Sequence, residues 1–102
     1  MVGGTGPGSP FWDYYLHVHD QMYDAWEQPP DVNDRKLVAV VLLKIARDGS
    51  ITKVELESSS GNQSMDKSAL AAARKVARLE PPPAALVKGS FANITVNFQL
   101  KG

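Results

Sequence analysis

Three aspartates and a histidine near the start of the chain are spaced so that a helix would place them on one side. Asp13, His17, Asp20 and Asp24 stand at i, i+4, i+7 and i+11. Carboxylates and an imidazole on one helix face could bind a divalent metal ion. However, the compact ligand set of a catalytic metal is missing, and no histidine follows His19. We interpret these residues as a solvated polar face, and we expect neither a metal nor another cofactor.

Serines cluster between residues 58 and 68, and a serine hydroxyl can act as a nucleophile. Such a nucleophile needs a neighbouring imidazole or amine held by a third group. Both histidines lie far away along the chain, and the sequence has no cysteine and no phosphate-binding glycine loop between a strand and a helix. Loop and helix-capping roles explain the serines, and no catalytic residue is expected.

The length and charge of the chain argue against several other classes of protein. The 102 residues fit one domain, and 11 basic side chains balance 11 acidic ones, with no basic stripe for nucleic acid or anionic membrane. No apolar run reaches the length of about 18 residues that a membrane span needs. Residues 1–9 (MVGGTGPGS) read as a flexible linker or cloning remnant before a domain of residues 10–102, and we expect the natural protein to continue upstream.

The elements that carry these residues can be predicted from apolar spacing. A helix is expected from Ser9 to Glu27, capped by Ser9 and ended by Pro29 and Pro30. Its buried stripe is predicted to comprise Phe11, Tyr15, Val18, Met22, Ala25 and Trp26. His19 lies off the polar face and is interpreted as an ordinary surface or half-buried residue.

Two strands should follow, joined by a hairpin. KLVAVVLLKIAR is almost continuously apolar, which suits a central strand covered on both faces. Asp48-Gly49 predicts a two-residue type I′ turn before a strand from Ile51 to Ser58. This turn would pair residues whose numbers sum to 97, such as Thr52 with Ile45, whereas a wider turn with a bulge would shift the pairing. The face away from the core would still show Val40 and Leu42.

A second helix is predicted from Ser64 to Leu79, followed by three prolines and a last strand from Phe91 to Leu100. Its inward side should comprise Met65, Ala69, Leu70, Ala73, Val76 and Ala77. The order α-β-β-α-β predicts an α+β two-layer sandwich. Its antiparallel sheet has the strand order 2-1-3, and both helices cover one face.

The last strand would then lie at an edge of the sheet. Residues Asn93 to Leu100 include neither a charged side chain nor a proline, which are the usual means of protecting an edge. We therefore expect this edge to be open for strand addition. The predicted partner-binding residues are Asn93, Ile94, Thr95, Val96, Asn97, Phe98 and Gln99.

The run DGSITKVELESSSGNQSMDKSALAAARKVARLEPPP resembles the C-terminal domains of the TonB and TolA energy transducers of Gram-negative bacteria. The shared pattern is a glycine turn, a strand into Ser-Ser-Gly-Asn, an alanine-rich helix, prolines and a final strand. The leading YYLHVHDQMYDAWEQPP looks like the TolA type, since Trp26 with Pro29-Pro30 stands where TonB domains have Tyr-Pro. The cysteines of some TolA domains are absent.

The resemblance implies a non-enzymatic periplasmic domain at the far end of an inner-membrane-anchored protein. Such domains bind an outer-membrane receptor or a segment of a periplasmic protein, and they transmit force from a proton-driven complex whose motor proteins contact the anchor. A homodimer is a further expectation. The alternative is a dimerising or structural module of another cell-envelope complex, joined through the face of Val40 and Leu42. The resemblance leaves open whether import or envelope maintenance is served.

Overall fold

The computed structural model describes residues 10–100, so the predicted cap Ser9 and the predicted linker lie outside the described residues. The described elements, in chain order, are α1 (Pro10–Ala25), β1 (Val38–Ala46), β2 (Ile51–Ser58), α2 (Gln63–Lys75), a short 3₁₀ turn (Ala84–Leu86) and β3 (Phe91–Gln99). The three strands form one antiparallel sheet in the order β2-β1-β3. Both helices pack on one face, which confirms the predicted α+β fold.

The central strand β1 is buried on alternate residues. Ala39, Val41, Leu43 and Ile45 are inaccessible to solvent, whereas the residues between them are half-buried. The prediction that β1 is covered on both faces was therefore wrong. Its apolar run fills the core on one side, while the side chains of Val40 and Leu42 are only partly sheltered on the face away from the helices.

The β1–β2 hairpin has a wider turn than predicted. Gly49 N–H donates to the Ala46 carbonyl at 2.9 Å, and Ala46 N–H donates to the Ser50 carbonyl at 2.8 Å. Within this turn only Gly49 has positive φ, at 93°, so the loop has three residues and a bulge instead of a type I′ turn. Val41–Lys44 keep the predicted sum of 97, but Ile45 pairs with Ile51 instead of Thr52.

The helix α1 ends before Trp26, which was predicted to lie in its last turn. The indole is nevertheless buried, and its Nε1–H donates to the Ser68 hydroxyl of α2 at 2.9 Å. Its ring also meets Phe98 of β3 edge-on, with centroids 5.3 Å apart. Trp26 therefore joins α1, α2 and β3. Val18 and Met22 are buried as predicted, and Tyr14 is buried although the predicted stripe omitted it.

The loop before α2 is held by side chains of the Ser-Ser-Gly-Asn motif. The Asn62 side chain accepts a hydrogen bond from the Met65 N–H, as an N-cap does. The Asp66 carboxylate accepts from the Ser59 hydroxyl and from both the backbone N–H and the hydroxyl of Ser60. Partial desolvation raises the pKa of Asp66, but these hydrogen bonds outweigh it and lower the pKa below its ordinary value.

The helix α2 ends at Lys75, four residues earlier than predicted. Val76 is already extended, and the segment after it pairs with the hairpin turn instead of continuing the helix. Leu79 N–H donates to the Gly49 carbonyl at 2.8 Å, and Ile51 N–H donates to the Ala77 carbonyl at 3.3 Å. The predicted inward residues Met65, Ala69 and Ala73 are buried, whereas Ala77 is exposed.

Gly49 offers a test of the contact between the hairpin and the segment after α2. A Cβ at this position would lie 2.0 Å from the Leu79 carbonyl oxygen, in addition to the strain of positive φ. Gly61 also has positive φ, but a Cβ there meets nothing within 4 Å. We expect Gly61→Ala to cost about 1–2 kcal/mol of unfolding free energy and Gly49→Ala clearly more. Equal losses in urea unfolding would contradict the close packing.

Trp26 offers a test of the junction between the two helices and the last strand. Trp26→Ala should lower the unfolding free energy by about 3–5 kcal/mol, because it removes a buried aromatic side chain. Ser68→Ala is the matched control, since it keeps the buried indole but removes the hydroxyl that accepts from the indole N–H and donates to the Met65 carbonyl, and it should cost about 1–3 kcal/mol. A melting temperature unchanged by Trp26→Ala would show that the indole does not join these elements.

Candidate protein-interaction site

The last strand, β3, lies at an edge of the sheet and pairs with β1 along one side only. Along an antiparallel strand, successive residues direct their N–H and C=O groups alternately to the two sides. The Asn97 carbonyl and the Gln99 N–H both bond to the Tyr23 hydroxyl, which lies on the side away from β1. The odd-numbered residues of β3 therefore face the open edge with their backbone groups, and the even-numbered ones face β1.

The two ends of this edge are already occupied, contrary to the prediction that it is open throughout. At one end, the Tyr23 hydroxyl donates to the Asn97 carbonyl at 2.8 Å and accepts from the Gln99 N–H at 3.0 Å. At the other end, Phe91 exchanges backbone hydrogen bonds with Lys88, at 2.9 and 3.5 Å. The edge is thus protected by a tyrosine and by a tight turn, neither of which the sequence of β3 itself reveals.

The middle of the edge carries unpaired backbone groups. Within residues 10–100, the structure gives the outward N–H and C=O groups of Asn93 and Thr95 no hydrogen-bond partner, and the same holds for the Asn97 N–H. Such a row of donors and acceptors at two-residue spacing can pair with one more strand. The backbone of the predicted binding segment is therefore available from Asn93 to Asn97, but not at Gln99.

An aromatic stripe on α1 runs beside this edge. It consists of Trp12, Tyr15, His19 and Tyr23, whose neighbouring ring centroids lie 6.1, 6.1 and 4.1 Å apart. Trp12 to Tyr23 spans about 16 Å of helix, which matches about 16 Å of strand from Asn93 to Phe98. Trp12 and Tyr15 line one groove with Asn93–Thr95, and Tyr23 stacks on Phe98, so α1 and β3 run side by side along the open segment.

Tyr23 fixes the end of the aromatic stripe against the sheet. Its ring stacks on Phe98 with a centroid distance of 5.6 Å and an interplanar angle of 1°. Burial raises the pKa of Tyr23 and a hydrogen bond from the Gln99 backbone lowers it, with the nearby Tyr15 raising it further, so the pKa lies above its ordinary value. The hydroxyl therefore keeps its proton at neutral pH and can donate to Asn97 while it accepts from Gln99.

An apolar groove opens between the start of α1 and the unpaired part of β3. It has a volume of about 330 Å³. Its lining contains no charged side chain and comprises Phe11, Trp12, Tyr15, Leu86, Asn93, Ile94 and Thr95. Unpaired backbone groups and an apolar groove thus lie next to each other, which is the combination that an extended peptide can use.

The residues that first suggested metal or acyl-transfer chemistry have other contacts. His17 Nε2 accepts a hydrogen bond from the Glu80 N–H at 3.1 Å, and its Nδ1 lies 3.6 Å from the Glu80 carboxylate. In the part of the chain that the structure describes, no three His, Cys, Asp or Glu side chains are grouped so that they could hold a metal ion. No helix within the same part is long and apolar enough to cross a membrane.

The comparisons with known proteins define the class. Residues 11–98 match the model of the TonB C-terminal family, which covers most of the chain, so the chain belongs to that family. Among solved structures it is similar to a solution NMR structure of TolAIII bound to a peptide derived from the N-terminus of TolB. The two are 25% identical, the match covers 100% of this chain and 81% of the other, and the TM-score is 0.75. No curated protein sequence matches the chain. The predicted family, with its TolA-like character, is confirmed.

The aromatic stripe was not predicted, although its spacing is visible in the sequence. Trp12, Tyr15, His19 and Tyr23 recur every three or four residues, as a helix face does. Tyr15 was instead predicted to belong to the buried stripe, and it is half-buried beside the edge. What the spacing could not indicate is that this face borders an unpaired strand, because that depends on how α1 packs on the sheet.

Proposed function

We propose that this domain is the partner-binding end of a TonB/TolA-like energy transducer, and that it takes up an extended segment of its partner as a fourth strand beside β3. The observation that carries the proposal is the row of unpaired backbone groups along β3, which comprises the N–H and C=O groups of Asn93 and Thr95 and the N–H group of Asn97. An extended peptide could bond to these groups while its side chains contact the flanking helix.

The binding of a TolB-derived peptide by the similar TolAIII supports this proposal. We infer that the partner here is also a segment of a periplasmic protein or of an outer-membrane receptor, and that residues 10–102 form the binding domain. Strand addition suits a domain under tension, because several backbone hydrogen bonds share the load along one edge. Force would come from a proton-driven inner-membrane complex through a membrane anchor, and the domain itself would act in the periplasm without catalysing a reaction.

Thr95 lies in the middle of the unpaired segment and offers the sharpest test. Thr95→Pro removes an outward N–H without touching a hydrogen bond to β1, and proline is tolerated where a strand's N–H faces solvent. The loss of this donor leaves a carbonyl of the added strand without a partner, which should cost about 1–3 kcal/mol and weaken binding by roughly fivefold to more than a hundredfold. The measurement is calorimetric titration with a peptide from the N-terminus of TolB of the same organism.

Thr95→Val is the matched control, because it keeps the backbone N–H and the shape of the side chain. We expect it to bind like the unchanged domain, and we expect both variants to melt near its temperature. Peptide binding that survives Thr95→Pro would contradict strand addition at this edge. If binding were instead lost on replacing Leu42, the open face of the sheet would be the interface, as the alternative of a structural module requires.

A further inference from the structure

The unpaired backbone groups fix which partner side chains would face the groove. In a paired ladder, residues directly opposite each other place their side chains on the same face of the sheet. Ile94 lies between Asn93 and Thr95 and lines the groove with its side chain. The partner residue opposite Ile94 would therefore direct its side chain toward α1, into the groove, while its two neighbours would face the other side of the sheet.

The groove selects for a particular kind of side chain. Its walls include three aromatic rings together with Leu86 and Ile94, and none of its lining residues is charged. A charged group placed there would lose hydration without gaining a partner, whereas an apolar one would be removed from water at a gain of about 25 cal/mol per Å². Its volume of about 330 Å³ lies at the lower end of the range for ligand pockets, so one side chain suits it better than a larger group.

We propose that the segment recognised at this edge carries one large, uncharged apolar residue, leucine or phenylalanine, opposite Ile94, and that this residue binds in the groove. The proposal rests on strand addition at β3. It names the partner as an extended peptide because the groove borders unpaired N–H and C=O groups, which a small apolar molecule would leave unsatisfied.

The same geometry limits the length of the added strand. The Lys88–Phe91 turn occupies one end of the edge, and the Tyr23 hydroxyl occupies the other. Only the stretch from Asn93 to Asn97 remains for pairing, so a partner segment of about five residues covers it at one residue per strand position. A single anchoring side chain in such a short segment should account for much of its specificity.

A selection experiment tests the inference without knowledge of the natural partner. Random short peptides are selected on the immobilised domain, and the binders are sequenced and measured. We expect one position to be restricted to large apolar residues. Alanine at that position should weaken binding by tenfold or more, and glutamate should abolish it. In methyl NMR spectra, the resonances of Leu86 and Ile94 should shift on binding.

Variants of α1 provide a matched pair. Trp12→Ala removes one wall of the groove and should weaken the selected peptides about tenfold. Leu16→Ala removes an exposed apolar side chain of the same helix that does not line the groove, and it should leave binding unchanged. The melting temperature of each variant shows that the fold is retained.

The outcomes separate this inference from strand addition itself. If the Thr95 amide resonance shifts on binding but the central side chain and Trp12→Ala have no effect, the groove proposal is overturned and strand addition stands. If the Thr95 amide does not respond, or if no binder is selected, both fail. Methyl shifts of Leu86 and Ile94 that depend on protein concentration without any peptide would assign the groove to a second copy of the chain and would also overturn the proposal.

Discussion

The structure depends on one constraint of backbone hydrogen bonding: β3 lies last in the sheet and can satisfy only one of its two sides by pairing with β1. The central strand β1, by contrast, pairs on both sides within the sheet. The outward groups of β3 must be bonded by side chains, by a turn, by water or by another chain. The Tyr23 hydroxyl and the Lys88–Phe91 turn bond the outward groups at the two ends of β3. The unpaired groups between these two ends define the candidate site.

The helices hold this edge in place through contacts outside the open segment. Trp26 contacts both Phe98 of β3 and Ser68 of α2, so the end of α1 is fixed against the strand. The start of α1 is held near the prolines after α2, where the buried Tyr14 hydroxyl donates to the Glu80 carbonyl at 2.8 Å. Burial, and secondarily the Glu80 charge, raise the pKa of Tyr14 to about 12, so this hydroxyl remains a donor at physiological pH. The aromatic stripe is thereby aligned with β3 along its length.

Much of this fold follows from local patterns in the sequence, and the exceptions have physical causes. Alternation predicted the strand β3, because burial on one face imposes period two, and the continuous apolar run predicted that β1 is the central strand. The prediction of a type I′ turn was wrong because Asp48-Gly49 also suits a three-residue loop in which only the glycine has positive φ. The predicted end of α2 was wrong because Ala77 and Leu79, which the prediction included in the helix, pair with Ile51 and Gly49, which are distant in sequence. The partial closure of the edge by Tyr23 likewise depends on tertiary packing.

Amide hydrogen exchange of the domain with and without a bound TolB N-terminal peptide tests the central claim most directly. We expect the amides of Asn93, Thr95 and Asn97 to exchange rapidly in the free domain, because they have no partner there, and to become protected on binding. The amides of Ile94 and Val96 already pair with β1 and should change little. Binding that protects another surface while these three amides stay unprotected would contradict strand addition at β3.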